Sequence, residues 1–188
     1  MKDVSKNNMV YKPSDDSFLM IEAMKVLKSK GYSYEKIIDL GSGSGVLSLV
    51  AKKLFNPKIL VSVDISPYAV YSTYRLLKGE SLVLRCDAAT CVNASFDLAI
   101  INPPYIPSTD RLAGSDRWLV LSWQEGKNHE KLCTSSKIAE NVLILKSTLS
   151  SLDQDRCMKR IGYEKREKVL EKRLFMEIIE ANYWVKRS

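Results

Sequence analysis

The sequence has no apolar run long enough to cross a bilayer. Its longest uncharged stretch near the middle, Leu40 to Ala51, is a dozen residues and rich in glycine, where a span needs about 20. Met1 to Asn8 lacks the apolar segment of an export signal. The four cysteines, Cys86, Cys91, Cys133 and Cys157, contain no C-x2-C pair. That excludes the usual zinc frameworks, and the expectation is four reduced thiols partly in the core. His129 is the only histidine, so Ser-His or Cys-His hydrolysis would have to run through that one residue. Internal repeats, low-complexity tracts and Pro/Gly/Ser linkers are also absent. These absences leave a cytoplasmic globular chain, with residues 1–188 expected to form one domain.

What is present supports that class. Apolar residues make up 45% and charged residues 27% of 188 positions, a composition that buries a core without disulfides or metals. The net charge of +7 favours acidic partners. The charges are mixed, however: Arg156 to Arg173 also holds Glu164, Glu167 and Glu171. Such a segment reads as a solvated face.

Helical spacing predicts a helix over Asp16–Lys28, with apolar residues at 20, 21, 24 and 27. Lys36–Leu40 reads as a strand running into Gly41-Ser42-Gly43-Ser44-Gly45. A helix follows, with Val46, Leu49, Val50 and Leu54 or its neighbour Phe55 on its expected inner side, ending near Asn56-Pro57. Lys58–Val63 is a buried strand closed by Asp64. Ser66-Pro67 opens the next helix with a cap and a first-turn proline. Leu82–Arg85 and Phe96–Ile101 are further strands, and Phe96, Leu98 and Ile100 read as core. Strands that alternate with helices, each a near-continuous apolar run, predict a parallel sheet covered on both faces. Ile106–Ser122 reads as a long loop. Beyond it come a helix over Asn128–Glu140, a strand over Val142–Lys146 and a helix over Leu152–Ile161. Val169-Leu170 and Leu174–Ile179 are expected to form a terminal hairpin.

Every candidate for chemistry follows a predicted parallel strand, where open α/β sheets bind ligands. The first is Asp39-Leu40-Gly41-Ser42-Gly43-Ser44-Gly45, whose glycines let backbone approach a ligand closely. The second is Asp64, an acid at the next strand end that can accept from ribose hydroxyls. The spacing is G-x-G-x-G with no following lysine. It matches neither the dinucleotide G-x-G-x-x-G nor the P-loop. An adenosine carrying a sulfonium and an amino acid, as in S-adenosyl-L-methionine, suits this acidic loop better than a di- or triphosphate. The third is Asn102-Pro103-Pro104-Tyr105. A planar NH2 group is a poor nucleophile because its lone pair is delocalised. The Asn102 side-chain carbonyl and the Pro103 main-chain carbonyl can each accept one of its hydrogens. That would hold the nitrogen in line with a methyl group and stabilise developing positive charge. Tyr105 offers a face for a flat group or a sulfonium methyl.

Together with Val10-Tyr11-Lys12-Pro13-Ser14-Asp15-Asp16-Ser17-Phe18-Leu19, these segments resemble class I S-adenosylmethionine-dependent methyltransferases. The likeness is to the HemK/PrmC-like branch that methylates protein glutamine, and more narrowly to its short eukaryotic and archaeal members acting on the class 1 translation termination factor. It runs from about residue 9 to residue 123. The resemblance implies an α/β, Rossmann-like fold: a mostly parallel seven-stranded sheet with helices on both faces and a C-terminal antiparallel hairpin.

It also implies that Ser17, with Tyr11 and Asp15 nearby, meets the methionyl end of the cofactor, and that Asp39, Gly41 and Gly43 line its pocket. Asp64 and Ile65 would hold the ribose side, Asp87 and Ala88 the adenine, and Asn102 both cofactor and substrate. Pro103 and Tyr105 would complete the clamp on the glutamine of a Gly-Gly-Gln motif. Relatives work as heterodimers with a small zinc-binding activator protein, and the partner is expected at the edge strand near Leu82–Arg85. The family's Trp-Gly-Gly segment survives only in part, as Trp123-Gln124-Glu125-Gly126-Lys127-Asn128-His129. The first strand starts at Lys36, which leaves little room for the N-terminal recognition domain of bacterial relatives. No metal and no direct nucleic-acid binding are expected. Two alternatives stay open at this point: an exocyclic-amine methyltransferase acting on adenine in RNA or DNA, and an inactive cofactor-binding scaffold.

Overall fold

The computed structural model describes Val10, residues 12–106, Trp118 and residues 127–187. The expected site residue Tyr11 and most of the expected 106–122 loop lie outside the described residues. Helix α1 (Asp15–Ser29) precedes β1 (Lys36–Leu40), α2 (Val46–Phe55), β2 (Ile59–Asp64), α3 (Pro67–Leu76), β3 (Leu82–Arg85) and β4 (Phe96–Ile101). After the undescribed segment come α4 (Lys127–Ser135), a 3-10 turn (Ser136–Ile138), β5 (Ala139–Ser147), α5 (Gln154–Arg160), β6 (Tyr163–Arg173) and β7 (Ile178–Lys186). The seven strands form one sheet in the order β3-β2-β1-β4-β5-β7-β6. The first five run parallel, and β7 lies antiparallel between β5 and β6.

Strand side chains alternate between faces, and here both faces are covered. Ile37, Leu98, Ile100 and Leu143 pack with Met20, Met24 and Leu27 of α1 and with Leu47, Ala51 and Phe55 of α2. Their neighbours Ile38, Ala99, Ile101 and Val142 pack on the other side with Leu132 of α4 and Met158 of α5. That double burial is why the middles of these strands are almost wholly apolar, as in Ile37-Ile38 and Leu98-Ala99-Ile100-Ile101. It also leaves the carboxyl ends of β1, β2 and β4 side by side.

Four expectations need correction. The inner face of α2 is Leu47, Ser48, Ala51 and Phe55, while Val46, Val50 and Leu54 are only partly buried against the same core. The difference is one helical position, which turns Leu47 and Phe55 to the core with the small Ser48 and Ala51 between them. Ala139 and Glu140, expected at the end of a helix, begin β5 instead. The terminal hairpin is β6 with β7, and most of the expected strand Leu174–Ile179 is the turn between them. Strand β6 (YEKREKVLEKR) is concealed by charge because it is an edge strand with exposed side chains. Finally, Cys86 is disulfide-bonded to Cys91 and Cys133 to Cys157, with Cα atoms 6.0 and 6.6 Å apart. The pairs are scattered in sequence, but the fold brings them within disulfide reach.

At the opposite edge, β3 pairs on one side only among the described residues. Leu82 is 60% exposed, and Tyr71, Tyr74 and Leu76 of the adjoining α3 are exposed too. Among the described residues no helix is long and apolar enough to cross a membrane.

Candidate active site

The glycine loop is drawn across the end of β2: Gly41 and Ser42 both donate their backbone N–H to the Val63 carbonyl, at 2.8 and 3.0 Å. Gly41, Gly43 and Gly45 all have positive φ (81°, 54° and 85°). Helix α3 clamps the loop from outside. Thr73 Oγ1 donates to the Gly43 carbonyl and lies 3.1 Å from Ser42 Oγ. A Cβ on Gly45 would sit 2.8 Å from Thr73 Cα, so only glycine fits there. A Cβ on Gly43 would meet little but the Gly41 carbonyl at 4.0 Å. At that point the backbone faces open space.

Asp64 ends β2 and organises this loop. Its Oδ2 accepts from Gly43 N at 2.9 Å and its Oδ1 from Ser66 N at 2.8 Å. Each oxygen keeps a second lone pair for a ligand hydroxyl. Burial raises its pKa. Asp39, at the end of β1, is deeper still. Its Oδ2 accepts from Ser48 Oγ, which in turn contacts Ser62, while its Oδ1 is buried without a hydrogen-bond partner. Burial, and to a lesser degree the neighbouring Asp64 charge, push its carboxyl up to about 7 against the opposing Ser48 hydrogen bond.

Past β3, Cys86 N donates to the Asp64 carbonyl, which brings the next turn to the same cavity. Ala88 holds φ +52°, uncommon for a residue with a side chain. The turn is pinned by Ala89 N to Ser135 Oγ and by the ion pair of Asp87 with Lys131, both from α4.

The end of β4 carries the most specific arrangement. Asn102 Nδ2 donates to Asp16 Oδ2 at 3.0 Å. Asp16, 4% exposed, also accepts on Oδ1 from Ser17 N (2.6 Å), Ser14 Oγ (2.9 Å) and Ser17 Oγ (3.3 Å). Fixing Nδ2 on a carboxylate settles which way the amide points. It leaves Asn102 Oδ1 buried with no protein hydrogen bond, a position that costs stability unless a ligand donor arrives.

One cavity unites these groups. Of the candidate site residues, Ser17, Gly41, Gly43, Asp64, Ile65, Asp87, Ala88, Asn102, Pro103 and Tyr105 line it. Two expected residues do not. Asp39 stands behind the loop rather than on the wall. Asp15 turns outward and pairs with Lys172 of β6 at 2.6 Å. Adjacent helical residues point about 100° apart, so of the two acids opening α1 it is Asp16 that reaches the cavity. The sequence placed Asp15-Asp16 in the right segment but could not fix that rotation. Trp118 and Leu132 also line the cavity without having been expected. His129 is buried beside Ser150 and is not on this wall.

Among the described lining residues there are three carboxylates and no lysine, arginine or histidine. Such a wall disfavours a polyphosphate and fits a ligand bearing a sulfonium and an ammonium group. The orphaned Asn102 Oδ1 and the open Gly43 backbone supply the acceptor and the close approach that S-adenosyl-L-methionine and a flat nitrogen would need.

Known proteins bear on this cavity directly. The chain is 27% identical over 127 residues to the mouse methyltransferase HEMK2, an alignment covering 63% of this chain and 59% of the relative. It is 36% identical over 104 residues to the release factor glutamine methyltransferase of Rhodospirillum rubrum, covering 52% and 31%. The chain therefore spans about three fifths or less of these relatives' length. In fold it resembles the structure of the E. cuniculi Mtq2-Trm112 complex, responsible for methylating the eRF1 translation termination factor. There the TM-score is 0.69 at 19% identity, over 95% of this chain and 99% of that one. The family model for the methyltransferase small domain matches residues 15–113, from the helix that carries Asp16 to beyond Asn102. This chain belongs to the methyltransferase small domain family.

Proposed function

We propose that this chain is an S-adenosyl-L-methionine-dependent methyltransferase that modifies the side-chain nitrogen of the glutamine in a Gly-Gly-Gln motif. The substrate in this reading is a class 1 translation termination factor in the cytoplasm, and residues 1–188 act as one catalytic domain. The observation that carries the reading is the Asn102 side chain on the cavity lining, tethered through Nδ2 and with its buried Oδ1 left without a protein hydrogen bond. The HEMK2 and release-factor relatives favour glutamine over adenine as the flat nitrogen. The acidic wall also disfavours a phosphate-rich strand.

Bound S-adenosyl-L-methionine supplies an electrophilic methyl carbon on a positively charged sulfur. Asp64 would accept from the ribose hydroxyls, Ile65 and Ala88 would frame the base with Asp87 at its rim, and Ser17 would face the methionyl end. Asn102 Oδ1 accepts one hydrogen of the glutamine NH2, and the Pro103 main-chain oxygen accepts the other. Tyr105 packs on the flat amide. So held, the glutamine nitrogen would face the methyl group that the bound cofactor supplies, with water as the acceptor of the N–H proton given up on methylation. Acceptor oxygens are most favourable once the nitrogen carries positive charge, so they stabilise the transition state more than the ground state. No histidine base is required.

A partner completes the reading. The open β3 edge, with Leu82 and the exposed α3 residues Tyr71, Tyr74 and Leu76, suits strand addition by a second subunit. We assign this edge to a partner subunit, as the pairing of Mtq2 with Trm112 in the E. cuniculi complex suggests, and take that partner to be the small zinc-binding activator that the family resemblance implies. The test is mass spectrometry of the termination factor after incubation with the chain, its activator and S-adenosyl-L-methionine. The reading requires one added methyl on the Gly-Gly-Gln peptide. An unmodified peptide, or label in nucleic acid instead, rejects it.

A further inference from the structure

The geometry points to Trp118 as a wall of the slot that takes the cofactor's adenine. This inference rests on the cofactor reading above. Trp118 is half-buried and lines the same cavity as Ile65, Ala88 and Leu132. Its position there is fixed by a side chain of the sheet. The Arg85 guanidinium, at the end of β3, lies 5.6 Å from the Trp118 ring centroid. The same side chain donates through Nε to the Ile65 carbonyl at 3.2 Å. A single arginine therefore ties the indole to the residue that follows Asp64, on the side of the cavity formed by the β2 and β3 ends. A cation resting on an indole face is attracted by the ring's quadrupole, and here it favours the orientation that keeps the flat indole at the cavity.

The chemistry of that slot selects its occupant. Ile65, Ala88 and Leu132 contribute only apolar surface, and Trp118 adds an aromatic face. The polar group at this end is Asp87, an acceptor already paired with Lys131. Flat, apolar walls with one acceptor at the rim suit a purine with an exocyclic amine. Tyr105, the other aromatic residue described on the cavity wall, follows Asn102 at the end of β4. The two aromatics thus divide the cavity: Tyr105 serves the reacting nitrogen and Trp118 the base.

S-adenosyl-L-homocysteine is the probe, titrated by calorimetry and by tryptophan fluorescence into the full chain with its activator. The sequence has three tryptophans, at 118, 123 and 184, and Trp184 is fully buried. Trp118→Ala should weaken binding about 3- to 10-fold, the size of one aromatic stacking contact. Trp118→Phe keeps an aromatic face, so its affinity should stay within about 3-fold while most ligand-induced quenching of emission disappears. Wild-type affinity in a folded Trp118→Ala protein overturns the proposal. So does full quenching in Trp118→Phe, the variant that decides the matter if the alanine protein does not fold. Failure of the wild-type chain to bind the probe at all removes the cofactor reading, and this inference with it.

Discussion

Asn102 Nδ2 and Asp16 Oδ2 are 3.0 Å apart although the residues are 86 positions distant in the chain. The first helix thereby sets the orientation of an amide at the tip of the fourth strand. Asp16→Asn would place an amide where Asn102 needs a carboxylate oxygen, and either side chain would have to flip. Turnover should fall by about 10- to 100-fold, the scale of losing one oriented acceptor. Steady-state kinetics alongside calorimetry checks this, with affinity for S-adenosyl-L-homocysteine changing far less.

The buried carboxyl of Asp39 makes stability depend on pH. Its folded pKa is raised to about 7, above its value in the unfolded chain, and Asp64 is shifted in the same direction. Below the unfolded pKa the native protein keeps this contribution in full. It is lost as pH rises towards 7, because the native state must then hold a buried charge. Thermal unfolding of the ligand-free protein should accordingly show falling stability from about pH 4 to 7, and Asp39→Asn should flatten that slope.

Gly45 and Gly31 share positive φ but not surroundings. A Cβ on Gly31 meets nothing within 4 Å, whereas one on Gly45 strikes Thr73 backbone at 2.8 Å. Gly31→Ala should cost only the left-handed backbone strain, about 1–2 kcal/mol. Gly45→Ala should cost more than that and also weaken cofactor binding, because α3 must move away from the loop. Denaturant unfolding of the two variants separates strain from collision.

The β3 edge offers a test of assembly that leaves the cavity alone. Leu82→Lys replaces an exposed apolar side chain with a charge, a standard means of blocking an edge strand. Co-purification with the activator should be lost, while unfolding of the isolated chain should move by no more than about 0.5 kcal/mol. Retained co-purification would place the partner elsewhere.

Legibility in the sequence followed burial. Strands β1, β2 and β4 were readable because both faces are covered, which writes near-continuous apolar runs such as Ile37–Leu40 and Leu98–Ile101, and the half-exposed edge strand β3 was readable from its short run Leu82-Val83-Leu84. Their ends carried the glycine loop, Asp64 and Asn102, and these came together as expected. Strand β6 was hidden because an exposed edge strand needs no apolar side chains. Asp16 was missed in favour of Asp15 because helix rotation is settled by tertiary packing. Trp118 had no signal at all: it stands within a long segment without periodicity, and only its contact with Arg85 gives it a place.

The most direct measurement compares turnover with cofactor affinity in Asn102→Ala. If Asn102 Oδ1 grips the reacting nitrogen, methyl transfer to the termination factor should fall by about 100-fold or more, while the Kd for S-adenosyl-L-homocysteine shifts only a few-fold. Near-normal turnover in that variant would contradict the account.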